Sequence, residues 1–168
     1  MSVRPSSATD IDAIRALVAD VRDPEIPLLT IDDLGVLRNV MLEDDRVRVV
    51  ITPTYSGCPA MDTIASDIKG VLDAAGHHDV EVELQLAPAW TTDWLSLAGR
   101  EKLLAEGIAP PMGRSAAKAS LLGSSPTVAC PQCGAKNTEC ISEFGSTACK
   151  ALYRCLECLE PFDYFKCL

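Results

Sequence analysis

Thr52-Pro53-Thr54-Tyr55-Ser56-Gly57-Cys58-Pro59-Ala60-Met61-Asp62-Thr63 lies where one hydrophobic pattern gives way to another. Before it, Val47, Val49 and Ile51 alternate as the inward residues of a half-buried strand do. After it, Met61, Ile64, Ala65, Ile68, Val71, Leu72 and Ala75 recur at the spacing of a single helix face. The stretch is therefore a polar turn, punctuated by Gly and Pro, between a strand and a helix. Proline suits a first helical position because its missing N–H would have no partner there. That puts Pro59 inside the helix and Cys58 at its N-cap, facing unpaired N–H groups and the positive end of the helix dipole. Such a setting lowers a thiol's pKa and favours the thiolate, for metal binding or for nucleophilic attack. A small hydrophobe in a turn is the plainer reading of the same residue.

Working outward, the helix closes at Gly76, a natural left-handed C-cap. His77 and His78 follow, and favourable contact with the negative helix end accounts for them. Val80, Val82, Leu84 and Leu86 alternate with Glu81, Glu83 and Gln85, giving a strand with one solvated face. Strand, helix and strand in succession imply a right-handed crossover to a parallel neighbour. Upstream, Leu34 to Leu42 and Arg46 to Thr52 read as a hairpin around Glu43-Asp44-Asp45. A helix over Thr9–Val21 carries Ile11, Ile14, Leu17, Val18 and Val21 on one stripe, with Thr9 and Asp12 in the positions of a capping box. Asp23-Pro24 ends it, since a residue before proline avoids the α region. The expected fold is α/β: a small mixed sheet of three or four strands with helices on one side, followed by a small β zinc ribbon.

The segments Asp23-Pro24-Glu25-Ile26-Pro27 and Ile31-Asp32-Asp33-Leu34-Gly35 set carboxylates beside a candidate metal thiol, although a solvated acidic loop is the ordinary meaning of such a run. Further on, Thr92 can cap a helix to about Gly107, with Trp94, Leu97, Ala98 and Leu104 facing inward. Trp90 and Trp94 read equally as core or as partner-facing anchors. Residues 109–127, rich in Pro, Gly and Ser without sustained period, read as a linker between domains at 8–108 and 128–168.

In the last segment, Cys130-Pro131-Gln132-Cys133 and Cys155-Leu156-Glu157-Cys158 are paired C-x-x-C knuckles with 21 residues between them. Four thiolates at that spacing complete a tetrahedron around zinc, and a unit of about 40 residues needs such a metal to fold. A four-cysteine site can also hold an iron–sulfur cluster. Strands are expected around 137–143, 149–154 and 161–166. Cys140, Cys149 and Cys167 stand outside the knuckles, and Cys140 and Cys149 are candidates to face one another across the hairpin.

Composition limits the functions. The 168 residues are 48% hydrophobic but only 5% aromatic, so aliphatic side chains must build most of the core. No apolar run approaches a membrane span, and the N-terminus has no signal-like apolar region, so a cytoplasmic protein is expected. Net charge is −9, with 19 of the 24 acidic residues before position 109. Nothing offers the basic face that nucleic acid requires. A thiol enzyme built on Cys58 lacks a base, because the only two histidines lie at the far end of the same helix.

Asp23-Pro24-Glu25-Ile26, Asp32-Asp33-Leu34-Gly35 and Thr52-Pro53 through Gly57-Cys58-Pro59 resemble a small α/β family of iron–sulfur assembly factors that includes bacterial SufT. Ala89-Trp90-Thr91-Thr92-Asp93-Trp94, Gly107-Ile108-Ala109-Pro110-Pro111, the ribbon and Gly145 through Leu152 extend the likeness over nearly the whole chain, to the PaaD (PaaJ) family of the phenylacetyl-CoA epoxidase system. The resemblance implies a non-catalytic accessory component of aerobic phenylacetate breakdown. Its partners would be the epoxidase subunits, especially the flavin and [2Fe–2S] reductase, and a homodimer is open. It implies maturation, with Cys58 holding iron or a cluster transiently and Asp23 and Glu25 matching the acidic motif. Structural zinc at Cys130, Cys133, Cys155 and Cys158 completes the expected cofactors. An integral structural or regulatory subunit is the alternative.

Overall fold

The computed structural model describes residues 8–44, 46–112 and 127–166. Two compact units make up the chain, Met1–Trp90 and Thr91–Leu168. Among the described residues, no helix is long and apolar enough to cross a membrane.

In the first unit, helix α1 spans Ala8–Ala19. Strands β1 (Leu37–Glu43) and β2 (Arg46–Ile51) form the expected antiparallel hairpin, Val40 opposite Val49. Helix α2 runs over Ala60–Ala74, and β3 (Val80–Leu84) returns parallel to β2, with Val49 opposite Val82. The sheet order is β1-β2-β3. Val47, Val49 and Ile51 are fully enclosed on one face of the central strand, and Ile14, Val18, Ile64, Ile68 and Leu72 from the two helices are buried with them. The period-2 and period-3.6 patterns read from the sequence thus meet in one aliphatic core. On the other face, Arg48 reaches Glu43 and Glu81 across the strands, and Arg46 reaches Asp79 and Glu81. Gly76 ends α2 with φ +93°, while the His77 N–H bonds to Leu72 O and the Gly76 N–H to Asp73 O, the double closure of a Schellman motif.

The second unit begins with a short 3-10 turn at Thr92–Trp94, followed by α3 over Leu97–Ala105. Ser96, not Thr92, caps α3, its hydroxyl accepting the Gly99 N–H at 2.9 Å. The buried face of the helix also differs from the expected one. Leu95, Gly99 and Leu103 are buried, whereas Leu97 and Leu104, expected to face inward, are 80% and 47% exposed, and Ala98 is exposed as well. Trp90 is decided in favour of the core of the first unit, its indole N–H donating to Leu34 O at 2.8 Å.

Strands β4 (Thr138–Ser142), β5 (Lys150–Cys155) and β6 (Pro161–Phe165) form an antiparallel sheet in that order. Ala109 joins it, pairing parallel to Tyr164 through bonds from Ala109 N to Asp163 O and from Phe165 N to Ala109 O. Of the segment read as a linker, residues 113–126 lie outside the described residues, as does Cys167. Tyr153 stacks on Phe162 at 5.9 Å and meets Tyr164 edge-on at 5.6 Å, so this small unit has an aromatic core where the first has an aliphatic one. Cys140 and Cys149 do not face each other: Cys140 lies opposite Tyr153, and the Cys149 thiol lies 3.0 Å from the Thr147 hydroxyl.

Candidate functional site

The turn carrying Cys58 is built by Gly57, whose φ of +80° suits a residue without Cβ. It closes with a bond from the Cys58 N–H to Tyr55 O. The helix cap falls one residue later than expected, on Pro59, whose φ of −69° and ψ of −18° are already helical. Cys58 therefore precedes the cap. Its half-buried thiol still receives the Ala60 N–H and a hydrogen bond from the Tyr55 side chain, both of which favour the thiolate. Burial outweighs them, and the negative charges of Glu25 and Asp23 act in the same direction as burial. The thiol pKa is raised, the opposite of the dipole expectation, because desolvation of an anion costs more here than two hydrogen bonds return.

That same balance shows that the carboxylates of Glu25 and Asp23 share the neighbourhood of Cys58. The acidic loop is not a solvated run. Arg22 bridges Thr30 in antiparallel fashion, and the Asp23 N–H bonds to Leu29 O, pinching the loop at its base. Asp23 is buried, and its Oδ1 accepts the N–H groups of both Glu25 and Ile26 at 2.8 Å. Asp33 is buried too, accepting the Thr30 N–H at 3.0 Å while Thr30 Oγ1 accepts the Asp33 N–H. Two acids thus hold the loop's shape, Asp32 faces solvent, and half-buried Glu25 contributes, with Asp23, a charge that raises the Cys58 thiol. Tyr55 is a site residue that the sequence patterns do not single out; its position three before the cysteine, across a Ser-Gly turn, is the signal they offer.

In the second unit, the Sγ atoms of Cys130, Cys133, Cys155 and Cys158 all lie within 4.8 Å of one another. Cys130 and Cys158 are 3.7 Å apart, and Cys133 and Cys155 are 3.6 Å apart. Four bonds of about 2.3 Å to one tetrahedral ion require sulfur–sulfur edges of about 3.8 Å, so the cluster fits a single zinc-sized ion. A polynuclear cluster interposes its own irons and sulfides and spreads its thiolates further apart. Backbone N–H groups turn inward on the sulfurs. Those of Cys158 and Glu157 lower Cys155 to about 7, helped by the thiols of Cys133 and Cys158. The Glu160 N–H pulls Cys158 down, but burial and the three other thiols push it up to about 12. Cys155 and Cys158 thus hold their protons unequally within one crowded cluster, and a bound cation resolves the crowding by displacing protons. Cys130 and Cys155 also belong to the aromatic cluster of Tyr153, Phe162 and Tyr164, so the ligands are part of the core they hold together.

The two units match different families. Residues 11–84 match one described as iron–sulfur cluster assembly protein, and residues 114–166 match the PaaD zinc beta ribbon domain. The sequence is 51% identical to a putative subunit of the 1,2-phenylacetyl-CoA epoxidase of Escherichia coli (strain K12) over 158 residues, 94% of this chain and 93% of the relative. It is 37% identical to an "Fe-S protein maturation auxiliary factor" of Porphyromonas gingivalis (strain ATCC BAA-308 / W83) over 90 residues, 52% of this chain and 84% of the relative. Among solved structures it is similar to the crystal structure of a domain of unknown function, DUF59, from Bacillus anthracis. The TM-score there is 0.52, with 27% identity, covering 55% of this chain and 90% of that one.

Proposed function

The chain belongs to the PaaD family of phenylacetyl-CoA epoxidase components, and from that membership we propose that it is an accessory component of this system that delivers iron or an iron–sulfur cluster to a partner. The observation that carries the proposal is the meeting of Cys58 with Glu25 and Asp23 in the assembly-like unit. Burial and two carboxylates keep the empty thiol protonated and quiet. An arriving iron cation neutralises the carboxylates and replaces the thiol proton, so it reverses both effects that raise the pKa. Clusters are held by several thiolates. Cys58 offers one, and the acceptor protein supplies the rest, which is the stoichiometry of a hand-over rather than of a resident cofactor. The ribbon holds structural zinc through Cys130, Cys133, Cys155 and Cys158 and docks the target, for which the flavin and [2Fe–2S] reductase is the first candidate.

Cys58→Ala tests this in cells that express all epoxidase subunits. The expected result is lost epoxidation with the variant still folded, and with less iron in the purified reductase. Partners loaded with iron beforehand should react in vitro without this protein. If loaded partners stay inactive until the wild-type chain is added, the maturation role is wrong. The second reading, an integral subunit, then stands; it is favoured by the naming of the Escherichia coli relative as a subunit.

A further inference from the structure

Two sulfur pairs of the ribbon cluster meet across the knuckles: Cys130 with Cys158 at 3.7 Å, and Cys133 with Cys155 at 3.6 Å. Each pair joins a buried cysteine to an accessible one. Cys130 and Cys155 are 2% and 0% exposed and belong to the aromatic core, whereas Cys133 and Cys158 are exposed. An accessible thiolate poised beside a second thiol is the arrangement in which oxidation ends at a reversible disulfide. Within the second knuckle, the Cys158 N–H approaches Cys155 Sγ at 3.5 Å. Cys140, opposite Tyr153, and Cys149, against Thr147, stand outside the cluster.

We propose that the ribbon is a peroxide-responsive switch, in which oxidation joins Cys133 to Cys155 and Cys130 to Cys158, releases the zinc and leaves the fold tied. The inference rests on the structural zinc of the reading above and not on what Cys58 carries. The accessible Cys133 thiolate attacks hydrogen peroxide; an S–O bond forms, the O–O bond breaks and hydroxide leaves. The Cys155 thiolate then attacks the Cys133 sulfenic acid, forming the S–S bond and expelling a second hydroxide. Cys158 and Cys130 follow the same two steps. Two peroxides are thus reduced to four hydroxides, four thiolates are oxidised to two disulfides, and one zinc ion loses its ligands. Closing the pairs brings their sulfurs from 3.6 and 3.7 Å to the about 2.05 Å of a disulfide. The partners stand 28 and 22 positions apart, so both bonds enclose β4 and β5 and replace the cross-link that the metal supplied. Disulfides inside each C-x-x-C would leave the knuckles untied.

The test treats the full-length, zinc-loaded chain with hydrogen peroxide and reads zinc release, disulfide connectivity and circular dichroism together. Free zinc should rise to one equivalent per chain as two equivalents of peroxide are consumed. Peptide mapping by mass spectrometry should find the two disulfides that cross the knuckles. Strand and helix signals should persist, unlike those of reduced protein stripped by a chelator, and a thiol reductant with zinc should restore the starting state. Cys140→Ser should respond as wild type does. Disulfides within a knuckle, or to Cys140, would overturn the pairing. The switch is overturned if zinc stays bound under a large excess of peroxide, if the ribbon unfolds on oxidation, or if sulfinic acids form in place of disulfides. A chain that purifies without metal would remove the zinc reading itself, and the switch with it.

Discussion

At Cys58, opposing effects of similar kind meet on one sulfur. Two hydrogen bonds favour the thiolate, while desolvation and two neighbouring carboxylates oppose it and prevail. Alkylation of Cys58 followed by mass spectrometry should therefore show a pH midpoint above that of a free cysteine. Glu25→Gln removes a charge that raises the thiol's pKa, so it should lower the midpoint; an unchanged midpoint would mean that Glu25 does not face the sulfur. Ferrous iron should slow the labelling. Asp23→Asn is the poorer variant, because Asp23 Oδ1 accepts two backbone N–H groups and its charge shapes the loop. The site's residues are legible in the sequence as a cysteine after a Ser-Gly turn and a run of acids. Their roles are not. Which acid folds inward to accept N–H groups, and how dry a thiol becomes, depend on tertiary enclosure that no local pattern encodes.

For whole elements, the sequence serves well wherever a period or a spacing is strict. The hairpin, the parallel return of β3 and the three ribbon strands follow alternation, and the cluster of four sulfurs follows the C-x-x-C spacing. Helix α3 is the instructive failure. Thr92 and Ser96 are both eligible caps, and only the second takes up the role, accepting the Gly99 N–H. Arg100 donates from its guanidinium to Thr92 O at 2.9 Å and Pro111 O at 2.8 Å, and so fastens the preceding turn to the chain beyond the helix. A contact spanning that distance leaves no trace in helical periodicity. Ser96→Ala should cost about 1 kcal/mol of the second unit's stability, read as a drop of a few degrees in its unfolding temperature. An equal loss from Thr92→Ala would return the cap to the expected position.

Across the whole chain, two units of different construction follow each other. The first folds around aliphatic side chains, and the second gathers aromatic residues around two of its four metal-cluster cysteines. Ala109 pairs with Tyr164, so the segment from Thr91 to Ala109 shares the fate of the ribbon sheet. Stripping metal with a chelator, or changing Cys133 to Ser, should therefore unfold α3 along with the ribbon and leave β1, β2, β3 and α2 intact. Circular dichroism that shows all helix retained after metal loss would contradict this. Trp90 closes the first unit, its indole bonded to Leu34 O, and Trp94 lies in the opening turn of the second. The chain's two tryptophans are thus divided one to each unit, which makes the protein its own two-channel fluorometer. In Trp94→Phe the remaining emission should be indifferent to chelation, and in Trp90→Phe it should shift to the red as the second indole meets water.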